Sequence, residues 1–336
     1  MCVRNRFGWF KRTLLIILGG IVALVGIGAT YQAVATAYDR RSYPPPGQLV
    51  DVGGYSLHLY CTGANLDGHA TIILEQGGGG NSLAWFLIQP ELAKATRVCS
   101  YDRAGQGWSD PGPEPRDGNQ IAKELHTLLH NAGISGPYVL VGHSYGGLFV
   151  RAYAACYPDD VAGLVLLDSA HPDQWTRTPA GQEQYANDSR IYSIARVLAR
   201  LGVLRILPNP LTIPPAGLAP QQAAEWQAIY GATQFWDTTE AESRALSATM
   251  AQVRSAAALS PGVPVLVVSA GEHIHADANW AMFQHELAAI TPSSRQIVIA
   301  GATHESLWAE PQGAQASVAA ILSMARQPLS NRSKQP

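Results

Sequence analysis

The segment Tyr138–Ala154, YVLVGHSYGGLFVRAYA, places a serine between two glycines where the apolar pattern changes its period. The residues before Ser144 form a short continuous apolar run typical of a buried strand, and those after it have helical spacing. Side chains at positions 142 and 146 would crowd the turn, and glycine avoids this at a cost in backbone entropy. The segment therefore predicts a strand, a tight turn and a helix, with the Ser144 hydroxyl exposed on the turn.

Segments of strand length and helical length alternate along much of the chain. Most apolar segments are continuous rather than alternating, which favours a parallel sheet covered on both faces. They are YSLHLYC, ATIILEQ, RVCSYD, YVLVG, GLVLLD, VPVLVVS and RQIVIA. Residues 118–133 and 146–160, which lie between strands, have the helical period. This order predicts an α/β sandwich.

The N-terminus predicts a membrane anchor. Residues 1–12 are basic with no acidic side chain, and no further charge occurs before Asp39. About 20 apolar residues span a bilayer and a signal peptide usually has only about 7–15, so residues 13–37 are long enough to span. The basic flank predicts a cytosolic N-terminus and an extracytoplasmic folded domain. Small residues at 33–37 leave open the alternative of a signal that is cleaved before secretion.

The remaining composition divides the chain into further regions. Residues 38–48 are rich in proline and are expected to be a linker that separates the folded part from the membrane. Residues 171–260 contain three helical segments and no strand, so we expect a helical cap inserted between strands. The α/β core would comprise residues 49–170 and 261–327, and residues 328–336 are expected to be a disordered tail.

Charge restricts the class of partner. The formal net charge is −2 over 336 residues. A nucleic-acid-binding protein needs a large basic field to neutralise phosphates, and this chain has none. Nucleic acid is therefore excluded as a main partner.

An exposed serine alcohol becomes a nucleophile only with a general base beside it. In sites built on such a turn, the chain order is serine, then acid, then histidine. His304, in RQIVIAGATHESLWAEP, combines a late position with a loop at the end of a strand. We therefore predict His304 as the base for Ser144.

Three motifs together resemble the α/β-hydrolase superfamily, and in particular its esterase and lipase-like members. They are LEQGGGGNSLAW, YDRAGQGWSD and VGHSYGGL, within a resemblance that covers about residues 50–327. The resemblance implies a mostly parallel eight-stranded sheet, a helical cap after the sixth strand and catalysis without a cofactor or metal. It also implies that YDRAGQGWSD is a structural turn.

The resemblance also implies an oxyanion hole. Family members often have His-Gly where this chain has Gln76 and Gly77. The match places the backbone N–H of Gly78 beside that of Tyr145 as the two donors. Loss of one such donor typically removes about 3 kcal/mol of transition-state stabilisation.

The acidic member of the triad has three candidates. The family's usual position, after the strand that follows the cap, holds Ile274. Some members use the end of the preceding strand, where this chain has Asp168. Asp277 and Glu272 compete with it, and we favour Asp168, which would fix the tautomer of the base and stabilise its imidazolium form.

The segment HIHAD, residues 273–277, resembles half of a metallo-hydrolase motif. A second half with matching acidic residues or histidines is not evident in the sequence. We therefore expect a polar loop at the rim of the site rather than a metal centre.

The order of strands in the superfamily also bears on the cysteines. The second and fourth strands are neighbours there, which implies that Cys61 and Cys99 lie within disulfide reach. The sequence is equally consistent with two buried free thiols at these positions. Cys156 lies in a helical pattern of small residues and is expected to be a buried thiol.

These observations predict a serine hydrolase that cleaves small-molecule carboxylic esters through an acyl-enzyme. Apolar cap residues, among them Trp175, Trp226 and Trp236, suggest apolar acyl or alcohol groups, although core packing explains them equally well. Lactonase, thioesterase, peptidase and perhydrolase activities remain open alternatives. A membrane-tethered binding protein without catalysis is the alternative from another class.

Overall fold

The computed structural model describes residues 4–66, 69–207, 212–256 and 258–326, so the predicted tail at 328–336 lies outside the described residues. An eight-stranded sheet has the order β1-β2-β4-β3-β5-β6-β7-β8. The β1–β2 and β2–β4 pairs are antiparallel and all others are parallel. The strands are β1 Gln48–Asp51, β2 Ser56–Thr62, β3 Thr71–Glu75, β4 Val98–Tyr101, β5 Tyr138–His143, β6 Val161–Leu167, β7 Val265–Ala270 and β8 Ser294–Ile299.

Helices precede the sheet, cover both of its faces and form the cap. They are α1 Arg4–Ser42, α2 Gln89–Ala93, α3 Gly118–Asn131, α4 Gly146–Cys156, α5 Pro179–Arg200, α6 Val203–Ile206, α7 Pro220–Gly231, α8 Thr233–Ser255, α9 Gly271–Ala276, α10 Ala278–Leu287, α11 Ser306–Ala309 and α12 Pro311–Ala325. Short 3₁₀ helices occupy Ser82–Trp85 and Pro158–Asp160. The sheet and the cap, which comprises α5 to α8 between β6 and β7, confirm the predicted fold class.

The continuous apolar segments form the centre of the sheet. Every residue of β3, β5, β6 and β7 is buried, as expected for strands covered on both faces. Successive side chains alternate between faces: Ile73 and Leu140 pack with α3 and α4, whereas Ile72 and Val139 pack with α2 and α12. The carboxyl ends of the parallel strands meet at one edge, below the cap.

Helix α1 extends further than the sequence predicted. It runs without a break to Ser42, so the linker predicted at 38–48 is wrong for its first residues. The helix continues because its last turns pack on the cap, where Asp39 forms an ion pair with Arg205 at 2.6 Å. Prolines 44–46 then end it, because proline cannot donate the helical hydrogen bond. Residues 8–42 include a wholly exposed window with a mean hydropathy of 2.3, and by length and composition α1 suffices to cross a membrane.

The cysteines divide into a pair and a single thiol. Cys61 of β2 and Cys99 of β4 face each other in the antiparallel register and form a disulfide. The expectation of a buried thiol at Cys156 is wrong, because this residue ends α4 on an exposed side.

A buried ion-pair network joins the cap to the core. Arg103, just after β4, contacts Glu75 of β3 at 2.6 Å and Glu242 of α8 at 2.8 Å. Its guanidinium also donates to the carbonyls of Gln76 and Gly77, at 2.7 and 2.9 Å. Burial raises the pKa of Glu75 to about 7, although the nearby Arg103 charge opposes this. The network fixes the glycine-rich loop after β3 against the cap.

We predict that Arg103→Met lowers the free energy of unfolding by about 3–5 kcal/mol, because it leaves two buried carboxyl groups without their cation. Chemical denaturation of the full chain in detergent measures this. Arg244→Met is the matched control, because the exposed Arg244 of α8 pairs with Glu114 at 3.3 Å and with Glu240 of the same helix at 3.2 Å. Pairs formed by an exposed guanidinium should contribute about 1 kcal/mol or less. Equal losses in the two variants would contradict the prediction.

Candidate active site

Ser144 occupies the turn between β5 and α4 in a strained conformation. Its φ is +53°, in the left-handed region that non-glycine residues rarely adopt. A Cβ at Gly142 would lie 2.5 Å from the carbonyl oxygen of Gly146, and one at Gly146 would lie 2.5 Å from that of Glu75. The two glycines therefore permit the close approach of backbone that the turn requires, as the sequence predicted.

The loop after β3 lies directly against this turn. A Cβ at Gly77 would come within 2.8 Å of the Ser144 Cβ, and one at Gly78 within 2.7 Å of the Tyr145 ring. Among the hydrogen bonds of the described residues, the backbone N–H groups of Gly78 and Tyr145 have no acceptor. Two unpaired donors beside a serine at a helix N-terminus are suited to an anionic oxygen.

Asp168 and His304 are hydrogen-bonded to each other. Asp168 follows β6 with a φ of +41° and is fully buried, and its Oδ2 lies 2.6 Å from Nδ1 of His304. Its Oδ1 accepts from the backbone N–H of Ala270 and from Nε1 of Trp280, both at 3.0 Å. Burial alone would raise the pKa of Asp168, but hydrogen bonds from His273 and His304 outweigh it and hold this pKa well below its usual range. Asp168 is therefore ionised.

The structure separates the rival carboxylates Asp277 and Glu272 from His304. Asp277 is exposed and caps α10 by accepting from the N–H of Asn279 at 2.8 Å. Glu272 is also exposed, in the first turn of α9. In the described part of the chain, neither carboxylate hydrogen-bonds to His304.

His273 is a site residue that the sequence reasoning missed. The HIHAD segment, expected to be a rim loop, forms the end of α9 and turns His273 inward. Its Nδ1 lies 2.7 Å from Oδ2 of Asp168, the same oxygen that binds His304, and its ring stacks on Trp280 at 4.4 Å between centroids. The signal was present in the sequence, because the residue lies one position before the family's usual acid position.

Asp168, His273 and His304 also form a possible metal-ligand set. Their ligand atoms lie within 4.8 Å of one another. Both imidazoles direct Nδ1 at one carboxylate oxygen, at hydrogen-bond distance. These two hydrogen bonds are sufficient to account for the close approach of the three side chains.

A cavity of about 570 Å³ brings the predicted residues together. Ser144, Gly78 and His304 line it, and Trp226 and Trp308 form much of its apolar wall. No hydrogen bond joins Ser144 to His304 among the described residues, as is common in sites without substrate. His143, next to the serine, contacts Gln76 Oε1 at 2.7 Å. Burial lowers its pKa well below the usual range, and His304 lowers it further, so His143 is neutral.

Solved structures share this architecture. A thermophilic esterase from Thermogutta terrifontis has a TM-score of 0.60 at 22% identity and is matched over 83% of this chain and 99% of its own. An enol-lactonase from Burkholderia xenovorans has a TM-score of 0.59 at 22% identity, over 83% of this chain and 100% of its own. At this level of identity the likeness shows the fold alone.

Curated relatives match by sequence. An uncharacterised protein of Schizosaccharomyces pombe is 26% identical over 314 residues, which is 83% of this chain and 56% of that protein. A probable transporter of Hormonema carpetanum is 34% identical over 41% of this chain and 20% of its own length. An uncharacterised vacuolar membrane protein of Saccharomyces cerevisiae is 34% identical over 35% of this chain and 21% of its own. The chain thus spans between a fifth and just over half of these relatives.

A family model described as the alpha/beta hydrolase fold matches residues 70–311, which include the serine turn, the cap and the His304 loop. The match covers well over half of the chain and agrees with the observed sheet order and the helices between β6 and β7. The chain belongs to the α/β-hydrolase family.

Proposed function

We propose that this chain is a membrane-anchored serine hydrolase that cleaves carboxylic esters with apolar groups. The hydrogen bond between His304 and the buried, ionised Asp168 carries the proposal, because it lies beside the cavity that exposes Ser144. A binding protein without catalysis would not need a serine, an acid and a histidine in this chain order around one cavity. Trp226 and Trp308 favour apolar acyl or alcohol parts in the substrate.

In the proposed reaction each of these residues has a distinct role. Asp168 holds Nδ1 of His304, so Nε2 is left as the base. The Ser144 oxygen attacks the ester carbonyl carbon while its proton passes to this Nε2. The N–H groups of Gly78 and Tyr145 stabilise the resulting oxyanion, each by about 3 kcal/mol.

The intermediate then collapses. The bond to the alkoxy group breaks, and the proton on His304 passes to that oxygen, which releases the alcohol. Water next attacks the acyl carbon while His304 accepts its proton. The bond between that carbon and the Ser144 oxygen then breaks, this oxygen takes the proton from His304, and the carboxylic acid leaves. Atoms and charge balance without a cofactor or metal.

Helix α1 supports an uncleaved anchor. Cleavage near residues 33–37 would remove Gln32, which is 3% exposed and donates to the carbonyl of Gly231 in the cap at 2.8 Å. The helix is therefore tied to the folded domain. The vacuolar membrane location named for the Saccharomyces cerevisiae relative is consistent with this assignment. The basic flank of α1 favours an extracytoplasmic domain.

We expect a fluorophosphonate probe to label the purified full chain at Ser144, because such probes phosphonylate an activated serine. Ser144→Ala should abolish labelling, and Ser255→Ala, at an exposed serine on the cap, should leave it intact. In-gel fluorescence and peptide mapping measure the outcome. Well-folded protein that is not labelled would instead support a binding role.

We predict that Asp168→Asn lowers kcat on a p-nitrophenyl ester by about 10⁴-fold, because an amide favours the wrong tautomer of His304. Asp277→Asn, at the exposed cap of α10, should leave turnover close to that of the wild type. Steady-state kinetics on both variants distinguish the two carboxylates. Loss of turnover only in Asp277→Asn would overturn the assignment of Asp168.

His273→Ala should lower the free energy of unfolding at pH 7 by about 1.5–3 kcal/mol, since it removes a hydrogen bond to a buried charge. Asp168 has a depressed pKa, so its stabilising contribution is complete above the unfolded value near 4 and decreases as the pH falls below it. The variant brings this pKa closer to the unfolded value. The stability difference from the wild type should therefore shrink below about pH 4.

Denaturation curves of wild type and variant across pH 2–8 test this. A difference that stays constant with pH would show that His273 acts by packing on Trp280 and not through the charge of Asp168.

A further inference from the structure

Exposed apolar residues occur in the two cap segments on either side of Leu201 in the chain, the residue against which Gly28 of α1 packs. We define the rim as Ile194, Val197, Ile206, Leu207 and Ile213, whose side chains are 58–65% exposed. Exposed apolar residues clustered in this way mark an interaction surface. The last three line one groove of about 490 Å³ with Tyr31 of α1. The first two lie in the final turns of α5, the helix that contacts α1.

The length of α1 fixes the level of the rim relative to a bilayer. From Gly28 onward the helix packs on the cap, and a Cβ at Gly28 would lie 2.5 Å from the carbonyl oxygen of Leu201. Residues 8–27 precede this contact and are almost wholly exposed. They number about 20, which as an α-helix is about 30 Å and equals the hydrocarbon thickness of a bilayer. The membrane surface would therefore meet the cap near Leu201, which in the chain lies between the two parts of the rim.

The chemistry of this cap segment suits a lipid interface. The only charged side chains within residues 191–207 are Arg196, Arg200 and Arg205. Arg196 and Arg200 pair with Asp237, and Arg205 pairs with Asp39. An apolar face flanked by arginines is typical of helices that lie in the headgroup region. Continuity with α1 identifies a bilayer as the occupant.

The rim also forms part of the active-site wall. Ile213 and Pro214 line both the groove beside α1 and the cavity that contains Ser144. Ile213 and Pro214 thus lie between the groove beside α1 and the cavity that contains Ser144. A molecule dissolved in the bilayer beside α1 would therefore lie across this wall from the serine.

We propose that the rim is immersed in the bilayer interface and that the substrate is a lipid-soluble ester, which enters the cavity from the membrane past Ile213 and Pro214. This inference rests on the proposed function, because it names the substrate class of the same serine site. An apolar ester that stays in the bilayer avoids the unfavourable transfer of its chain through water.

The first measurement is independent of activity. The full chain is reconstituted in phosphatidylcholine vesicles with Cys2→Ser and Cys156→Ser, and an environment-sensitive fluorophore is attached at Val197→Cys or at Val298→Cys. Val298 is 47% exposed on β8 and lies outside the rim. Nitroxide-labelled lipid should quench the probe at 197 and leave that at 298 unaffected. A probe at 197 that escapes quenching, or that cross-links to a second copy, would overturn the proposal.

The second measurement compares two substrates in the same vesicles: a water-soluble p-nitrophenyl butyrate and a p-nitrophenyl palmitate dissolved in the lipid. Val197→Glu and Ile206→Glu should hydrolyse the soluble ester at the wild-type rate and the lipid-dissolved ester at least about tenfold more slowly, since a carboxylate disfavours the interface. Val298→Glu is the control and should affect neither rate. Unchanged hydrolysis of the palmitate ester in the rim variants would overturn the inference while leaving the esterase proposal standing.

Failure of the proposed function would give a different result. Wild-type protein would then hydrolyse neither ester, or Ser144→Ala would hydrolyse both.

Discussion

A single buried carboxylate joins the ends of three neighbouring strands. Asp168 follows β6, and its two oxygens accept hydrogen bonds from Ala270 at the end of β7, from His273 and Trp280 beyond β7, and from His304 beyond β8. Such a charge is tolerated in the interior because it is satisfied on both oxygens. The loops that form this side of the cavity thus share hydrogen bonds to one ionised group.

A second buried charge fixes the opposite side of the cavity. Arg103 holds the carbonyls of Gln76 and Gly77, and it also pairs with Glu242 of the cap. The position of the loop that carries Gly78 therefore depends on the docking of the cap. A displacement of the cap would therefore also move the loop of the proposed oxyanion hole.

The sequence predicted most of what is local and little of what depends on distant contacts. The turn at Ser144 was predictable because a strand, two glycines and a helix are adjacent in the chain, and the alternating segments were sufficient for the α/β class. The pairing of Arg103 with Glu242 was not predictable. The two residues are 139 positions apart, and the sequence does not show how the cap that carries Glu242 is oriented. The inward position of His273 was missed because a short helix replaces the expected loop. The length of α1 was misjudged because proline content does not show that the preceding turns pack on the cap.

These contacts link α1, through the cap, to the cavity that contains Ser144. Gln32 and Asp39 fix α1 to the cap through Gly231 and Arg205. The α8 helix of the same cap carries Glu242, which holds the guanidinium beneath the glycine-rich loop. A linker of extended proline would have let the domain rotate freely above a membrane. The packing of α1 on the cap instead fixes the orientation of the domain relative to this helix, so an apolar rim beside α1 would keep facing the lipid in which the helix is proposed to lie.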